Sequence, residues 1–320
     1  MHALILAGGF ATRLWPLTEK TPKPLVRLGH CTILDFLVEK IPVQIPVSIL
    51  INSFFAKDFA EWKASFCKKN PERRVEIFIE NSQNESEKLG ALFAVSKCVQ
   101  DLRIKDDVLV LAGDNFFDFA LPDFLRHFAG RPTIAVFDVG ERAEAKKFGV
   151  VVPRADSSFV ADFQEKPDRP KSTLVSTGIC VLPKDLLENL HAFALQNRDN
   201  LGGIFEHFLQ EGIGVQFVPF SGKWFDVGSF KSFLQAFQSL NGARVLQEGN
   251  VHAAGCEFSG AVFLGSGSRF NNTRVENSIV FANCKIENAE IRNCVICKNS
   301  TVLNADFSGQ ILRENSFVAG

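Results

Sequence analysis

Between Gly8 and Lys23 the sequence sets glycines, the Thr12 hydroxyl and the cations Arg13 and Lys23 at spacings that suit a phosphate chain. Gly8-Gly9 removes Cβ atoms where backbone N–H groups must close on an anion. Thr12 adds a hydroxyl, and Arg13 a rigid fork of donors matched to phosphate oxygens. Pro16 stiffens the exit. Lys23 stands between Pro22 and Pro24, which restrict the backbone on both sides and so deliver its charge to one place. The pattern is neither the G-x-G-x-x-G dinucleotide fingerprint nor a Walker A loop. Acidic candidates follow. Asp114 ends the apolar run Val108–Leu111 through Ala112-Gly113, where a carboxylate either holds Mg²⁺ against nucleotide phosphates or caps the next turn. Asp226, in Trp224-Phe225-Asp226-Val227-Gly228-Ser229, is the second carboxylate candidate and by itself reads equally as the N-cap of a helix near Phe230–Phe237. Glu165-Lys166-Pro167, taken bare, is an exposed turn.

Strands and helices in alternation must position these groups. Ala3–Leu6, Val47–Ile51, Val75–Ile79, Val108–Leu111 and Thr133–Phe137 are short apolar runs of the kind buried on both faces of a sheet. Amphipathic stretches at Ile33–Lys40, Phe59–Lys68, Leu89–Val99 and Leu121–Phe128 lie between them. This alternation predicts an α/β, Rossmann-like and mostly parallel sheet, with ligands outside the carboxyl ends of its strands.

After about Leu240 the texture changes. From Phe270 to Ala305 a unit of apolar, any, Asn, small recurs seven times at a step of five or six residues, placing Asn272, Asn277, Asn283, Asn288, Asn293, Asn299 and Asn304 alike. Asn tolerates a left-handed corner, the small residue fits beside it, and the apolar residue points inward. The repeat predicts a parallel β-helix of about four turns at most. The expected domains are therefore 1–241 and 242–320.

The N-terminal segment resembles the G-G-x-G-T-R-L-x-P-L-T…P-K-P signature of sugar-phosphate nucleotidylyltransferases, the group that includes glucose-1-phosphate thymidylyltransferases. The resemblance runs over nearly the whole chain, including the left-handed β-helical tail of longer members. Ala11 stands where the family usually has glycine. The resemblance implies that Gly8, Gly9, Ala11 and Thr12 bind the nucleotide and that Arg13, Lys23 and Asp114 are catalytic. It implies Mg²⁺ on Asp114 and Asp226, the latter in a W-x-D-[IV]-G-[TS] match. Glu165 and Lys166 match its E-K-P motif and would take the sugar hydroxyls and the sugar phosphate. Gly149 and Gly178 would let backbone approach the sugar. Glu87 to Leu92 resembles the segment beside the nucleobase, with Gly90 opening a helix and the base reader among Glu80, Asn81 and Gln83. The implied reaction joins an NTP, dTTP or UTP foremost, to glucose 1-phosphate and releases pyrophosphate. A GDP-mannose or aminosugar enzyme and a catalytically silent regulatory subunit are the alternatives. A further one is an acyltransferase in the coil, for which His252 is the available base.

Composition narrows the partners. The formal net charge is −1, which supplies no general basic field for nucleic acid or an anionic membrane. Eight cysteines are scattered, with Cys294-Val295-Ile296-Cys297 the lone CxxC, so buried thiols in a reducing compartment are expected. No targeting segment is visible, and a cytoplasmic protein is expected. The tail is expected to make a homo-oligomer. The sequence has 32 phenylalanines and no tyrosine, so no step can use a tyrosine hydroxyl.

Overall fold

The apolar runs become the centre of a sheet because they can be buried on both faces. In the computed structural model, which describes residues 1–9, 14–82 and 89–320, β1 (His2–Leu6) lies between β2 (Val47–Asn52) and β4 (Val108–Ala112), parallel to both. β3 (Val75–Glu80) extends the parallel run beyond β2. Every residue of β2 is buried. The next strands are β5 (Asn115–Phe117), β6 (Thr133–Asp138), β7 (Gly149–Pro153), β8 (Val160–Glu165), β9 (Leu174–Leu182) and β10 (Gln216–Pro219). The sheet order is β10-β6-β9-β4-β1-β2-β3, with β7 and β8 attached through β9. All five expected strands are present. The sheet is nevertheless mixed, because β9 runs antiparallel to both β4 and β6, and β7 and β8 form an antiparallel pair.

The helices are α1 (Ile33–Lys40), α2 (Ala56–Lys69), α3 (Ala91–Asp101), α4 (Leu121–Leu125), α5 (Arg142–Ala145), α6 (Leu187–Ala194), α7 (Gly203–Gln210) and α8 (Phe230–Asn241). α3 begins two residues later than its periodicity suggests, since Gly90 has φ 90° and cannot continue a helix backwards. α4 is shorter than expected, stopping at Leu125.

Chain compactness separates two units: Met1–Phe10 with Leu34–Trp224, and Ala11–Ile33 with Phe225–Gly320. The first holds the sheet and a core that includes Leu4, Val95, Val110, Phe163, Phe205 and Phe208. In the second, short strands from Val245 to Ala319 stack into parallel sheets of five, five and four strands, a left-handed β-helix slightly longer than the sequence suggests. Hydrogen-bonded asparagines on successive turns lie 16 residues apart, the sum of three sequence steps. Each of the seven repeat asparagines has φ between 47° and 59°. The small residue after most of them is buried, as at Thr273, Ser278, Cys284, Cys294 and Ser300. Among the described residues no helix is long and apolar enough to cross a membrane.

Candidate active site

Parallel strands carry their loops to one end, and the anticipated phosphate loop leaves β1 at that end. Leu6 is in register with Ala112 of the neighbouring β4, and Gly113 donates its N–H to the Leu6 carbonyl at 2.8 Å. A Cβ on Gly113 would sit 2.4 Å from that carbonyl oxygen, so only glycine fits. Gly8-Gly9 and Gly113-Asp114 therefore emerge from adjacent strand ends. Asn52, at the end of β2, donates to the Gly8 carbonyl at 3.1 Å. Phe10 to Arg13 lie outside the described residues, and with them Ala11, Thr12 and Arg13.

Gly178 lies in β9 beside the same end of β4. Its φ is 75°, and a Cβ would come within 2.9 Å of the Ala112 Cβ. Its neighbour Thr177 accepts a hydrogen bond from the Asn115 side-chain amide through its carbonyl.

The sugar-side candidates share one hairpin. Gly149 opens β7 opposite Glu165, the last residue of β8. Lys166 adopts φ 43° and donates its N–H to the Phe148 carbonyl at 3.2 Å. Its ammonium lies 3.7 Å from Glu165 Oε1. Burial raises the Glu165 pKa, Lys166 opposes the rise by charge and hydrogen bond, and the Asp199 charge adds to it. Trp224 is 7 % exposed and packs against Phe148 and Phe137 with ring centroids 5.1 and 5.9 Å away. Its indole N–H is buried and has no hydrogen-bond partner among the described residues. A tryptophan before the Asp226 motif was the available signal for this donor.

Of the base-side candidates, Glu80 is buried and accepts from Ser82 Oγ at 2.9 Å and from the Leu89 N–H at 3.0 Å. It clasps the ends of a segment whose residues 83–88, Gln83, Glu87 and Lys88 included, lie outside the described residues. Gly90 precedes α3 at a point where a Cβ would fall 2.5 Å from the Arg198 backbone.

The second unit contains Lys23 and Asp226. Lys23 is 8 % exposed and begins a short 3₁₀ turn behind extended Pro22. Its ammonium lies 3.5 Å from Asp226 Oδ1. Asp226 is not the cap of α8. Ser229 fills that role, accepting from the Ser232 N–H in a capping box. The helix-cap explanation of Asp226 is thereby removed. His252 is exposed on the strand His252–Ala254.

Among the described residues no group of three His, Cys, Asp or Glu side chains could hold a metal unaided. Asp114 in the first unit and Asp226 in the second each offer a hard carboxylate, the donor type that Mg²⁺ takes from protein when substrate phosphates complete its shell.

The sequence model of the nucleotidyl transferase family matches residues 2–242. The bifunctional protein GlmU of Methanocaldococcus jannaschii is 30% identical over 242 residues, which cover 75% of this chain and 54% of that protein. The chain thus spans about half the length of this curated relative. A crystal structure from Bacillus anthracis, assigned as a glucose-1-phosphate thymidylyltransferase in complex with a sucrose, aligns with a TM-score of 0.64 at 23% identity. That alignment covers 74% of this chain and 94% of the other.

Proposed function

This chain belongs to the nucleotidyl transferase family, and from that premise we propose that it converts an NTP and a sugar 1-phosphate to an NDP-sugar and pyrophosphate. Glucose 1-phosphate with dTTP or UTP is the foremost substrate pair. The observation that carries this reading is the pair of adjacent strand ends that present Gly8-Gly9 and Gly113-Asp114 together. In an α/β sheet that is where a nucleotide binds.

An oxygen of the sugar phosphate attacks the α-phosphorus in line, and pyrophosphate leaves; the protein forms no covalent intermediate. Catalysis is positioning and charge stabilisation. Gly8, Gly9, Ala11 and Thr12 cradle the triphosphate, and Gly90 leaves room on the base side. Arg13 takes the charge that builds on the leaving pyrophosphate. Lys23, clamped between prolines and paired to Asp226, serves the phosphates at the reacting centre. Lys166 holds the nucleophile's phosphate. Glu165 accepts from sugar hydroxyls, Gly149 and Gly178 admit the sugar against backbone, and the buried Trp224 N–H offers a donor beside Phe148. Asp114 and Asp226 are the residues that would hold Mg²⁺, which supplies charge neutralisation at the phosphates. Residues 1–241 carry these groups. Residues 242–320 form the coil, which we assign to homo-oligomer formation in a cytoplasmic enzyme.

Pyrophosphate release, measured over dTTP and the four ribonucleoside triphosphates crossed with glucose, mannose and aminosugar 1-phosphates, tests the assignment. Turnover with the glucose pair is expected, a guanine or aminosugar pair would redirect it, and silence throughout would refute it. Arg13→Ala should lower kcat about a hundredfold or more, the scale of one lost transition-state donor, with KM nearly unchanged. Near-normal kcat in that variant would remove Arg13 from the chemistry.

A further inference from the structure

The start of α3 and the end of β8 are joined by one short segment, Arg198–Gly203. A helix leaves its first N–H groups without intrahelical acceptors. Gly90, at the N-cap of α3, has no side chain to offer. The acceptors come instead from 108 residues away, where Asp199 Oδ1 takes the Ala91 N–H at 3.1 Å. The Arg198 carbonyl takes the Phe93 N–H at 3.0 Å, and the Arg198 guanidinium lies over the Phe93 ring, 5.0 Å from its centroid. The close approach is specific to glycine, because any Cβ on Gly90 would meet the Arg198 carbonyl group at 2.5 Å.

The same segment reaches Glu165 at its other end. Asn200 Oδ1 accepts the Gly203 N–H at 2.7 Å and turns the chain into α7. Gly202 then passes so close to Glu165 that a Cβ would lie 2.0 Å from its Oε2. Gly149 flanks the same oxygen, with a Cβ position 3.2 Å away. Phe163 and Phe205 lock α7 to β8 at a centroid separation of 5.6 Å. Gly202 is thus what lets the segment touch the carboxylate, while Gly203 leaves room for the Asn200 amide.

We propose that Arg198–Gly203 is a brace between the two substrate subsites, with Asp199 as its positioning residue: it anchors the amide end of α3 on the base side while Gly202 holds Glu165 in place on the sugar side. The inference rests on the proposed function for what each end binds. Its geometric content, coupling between α3 and the β7–β8 hairpin, does not.

Two measurements on the full chain separate these. In substrate-free hydrogen exchange, Asp199→Ala should speed exchange at Ala91–Phe93 and also at Gly149–Val150 and Gln164–Lys166, while Asp199→Asn, which keeps an acceptor, restores both. A rise confined to α3 makes Asp199 a local cap and overturns the brace. In initial rates with dTTP or UTP and glucose 1-phosphate, Asp199→Ala should raise KM for both substrates by about fivefold, the scale of one lost cap, with kcat within about twofold. Gly202→Ala should raise KM for the sugar phosphate more than for the NTP. Unchanged KM values for both substrates in Asp199→Ala overturn the brace. Absence of wild-type turnover with every nucleotide and sugar phosphate pair would refute the proposed function, and the exchange measurement would still decide the brace.

Discussion

At the scale of one residue, the sugar-binding role proposed for Glu165 runs against stability. Burial makes the folded carboxyl hold its proton more tightly than the unfolded chain does, and Lys166 compensates only in part. Between the ordinary carboxylate pKa and the raised folded value, the folded state binds more protons than the unfolded state. Stability therefore falls as pH rises through that window, and the penalty is complete above it. Glu165→Gln removes the penalty, so its Tm should exceed that of the wild type at neutral pH, the gain vanishing below about pH 4. The same variant should raise KM for the sugar phosphate about tenfold, as expected for a lost hydrogen bond to a charged acceptor. Calorimetry across pH, beside initial rates, checks both. Equal Tm values at neutral pH would show that the burial costs nothing. Glu165, Lys166, Gly149 and Asp114 could be picked out as candidates in sequence because they stand in short motifs. Asp199 and Gly202 could not, since their roles depend on neighbours that the chain brings in from far away, Ala91 and Glu165.

At the scale of elements, legibility followed periodicity. The coil's corners could be read because every repeat asparagine must do the same thing, and each adopts the left-handed conformation. The antiparallel course of β9 could not, since an apolar run carries no mark of direction. Asn288 separates the two functions of a corner. Its φ is 49°, and it links a ladder by accepting from Asn272 Nδ2 at 3.0 Å and donating to Asn304 Oδ1 at 2.9 Å. Asn288→Ala places a Cβ residue without amide in that conformation and breaks the ladder, costing about 1–2 kcal/mol. Asn288→Gly breaks the ladder but relieves the backbone, and should lose less in denaturant unfolding. Equal losses would assign the whole effect to the ladder.

The whole molecule divides in a way that local sequence does not announce, because residues 11–33 group with the coil and not with the sheet. The reason lies in what Arg27 to His30 touch. Arg27 makes a two-pronged pair with Glu248 at 3.0 Å in each arm and lies over the Phe263 ring. His30 meets that ring edge-on. A Cβ on Gly29, where φ is 91°, would come within 3.4 Å of Leu246 and 3.5 Å of Phe237. Asn241 donates to the Leu28 carbonyl at 3.2 Å. The segment that carries Lys23 is thus supported by the first turns of the β-helix. Truncation after Asn241 removes Leu246, Glu248 and Phe263 while sparing every residue assigned to chemistry. If the tail only joined subunits, the truncated chain would fall to fewer subunits per particle in light scattering and keep its turnover per subunit. The contacts require more than that. With its clamp gone, Lys23 loses the fixed position that its flanking prolines and Asp226 help define, so kcat should fall together with Tm. Arg27→Ala, which leaves the coil intact, should reproduce part of the kcat loss without changing the mass. An unchanged number of subunits per particle on truncation would count against the tail as an interface, and an unchanged kcat in both variants would reduce the clamp to a passive contact.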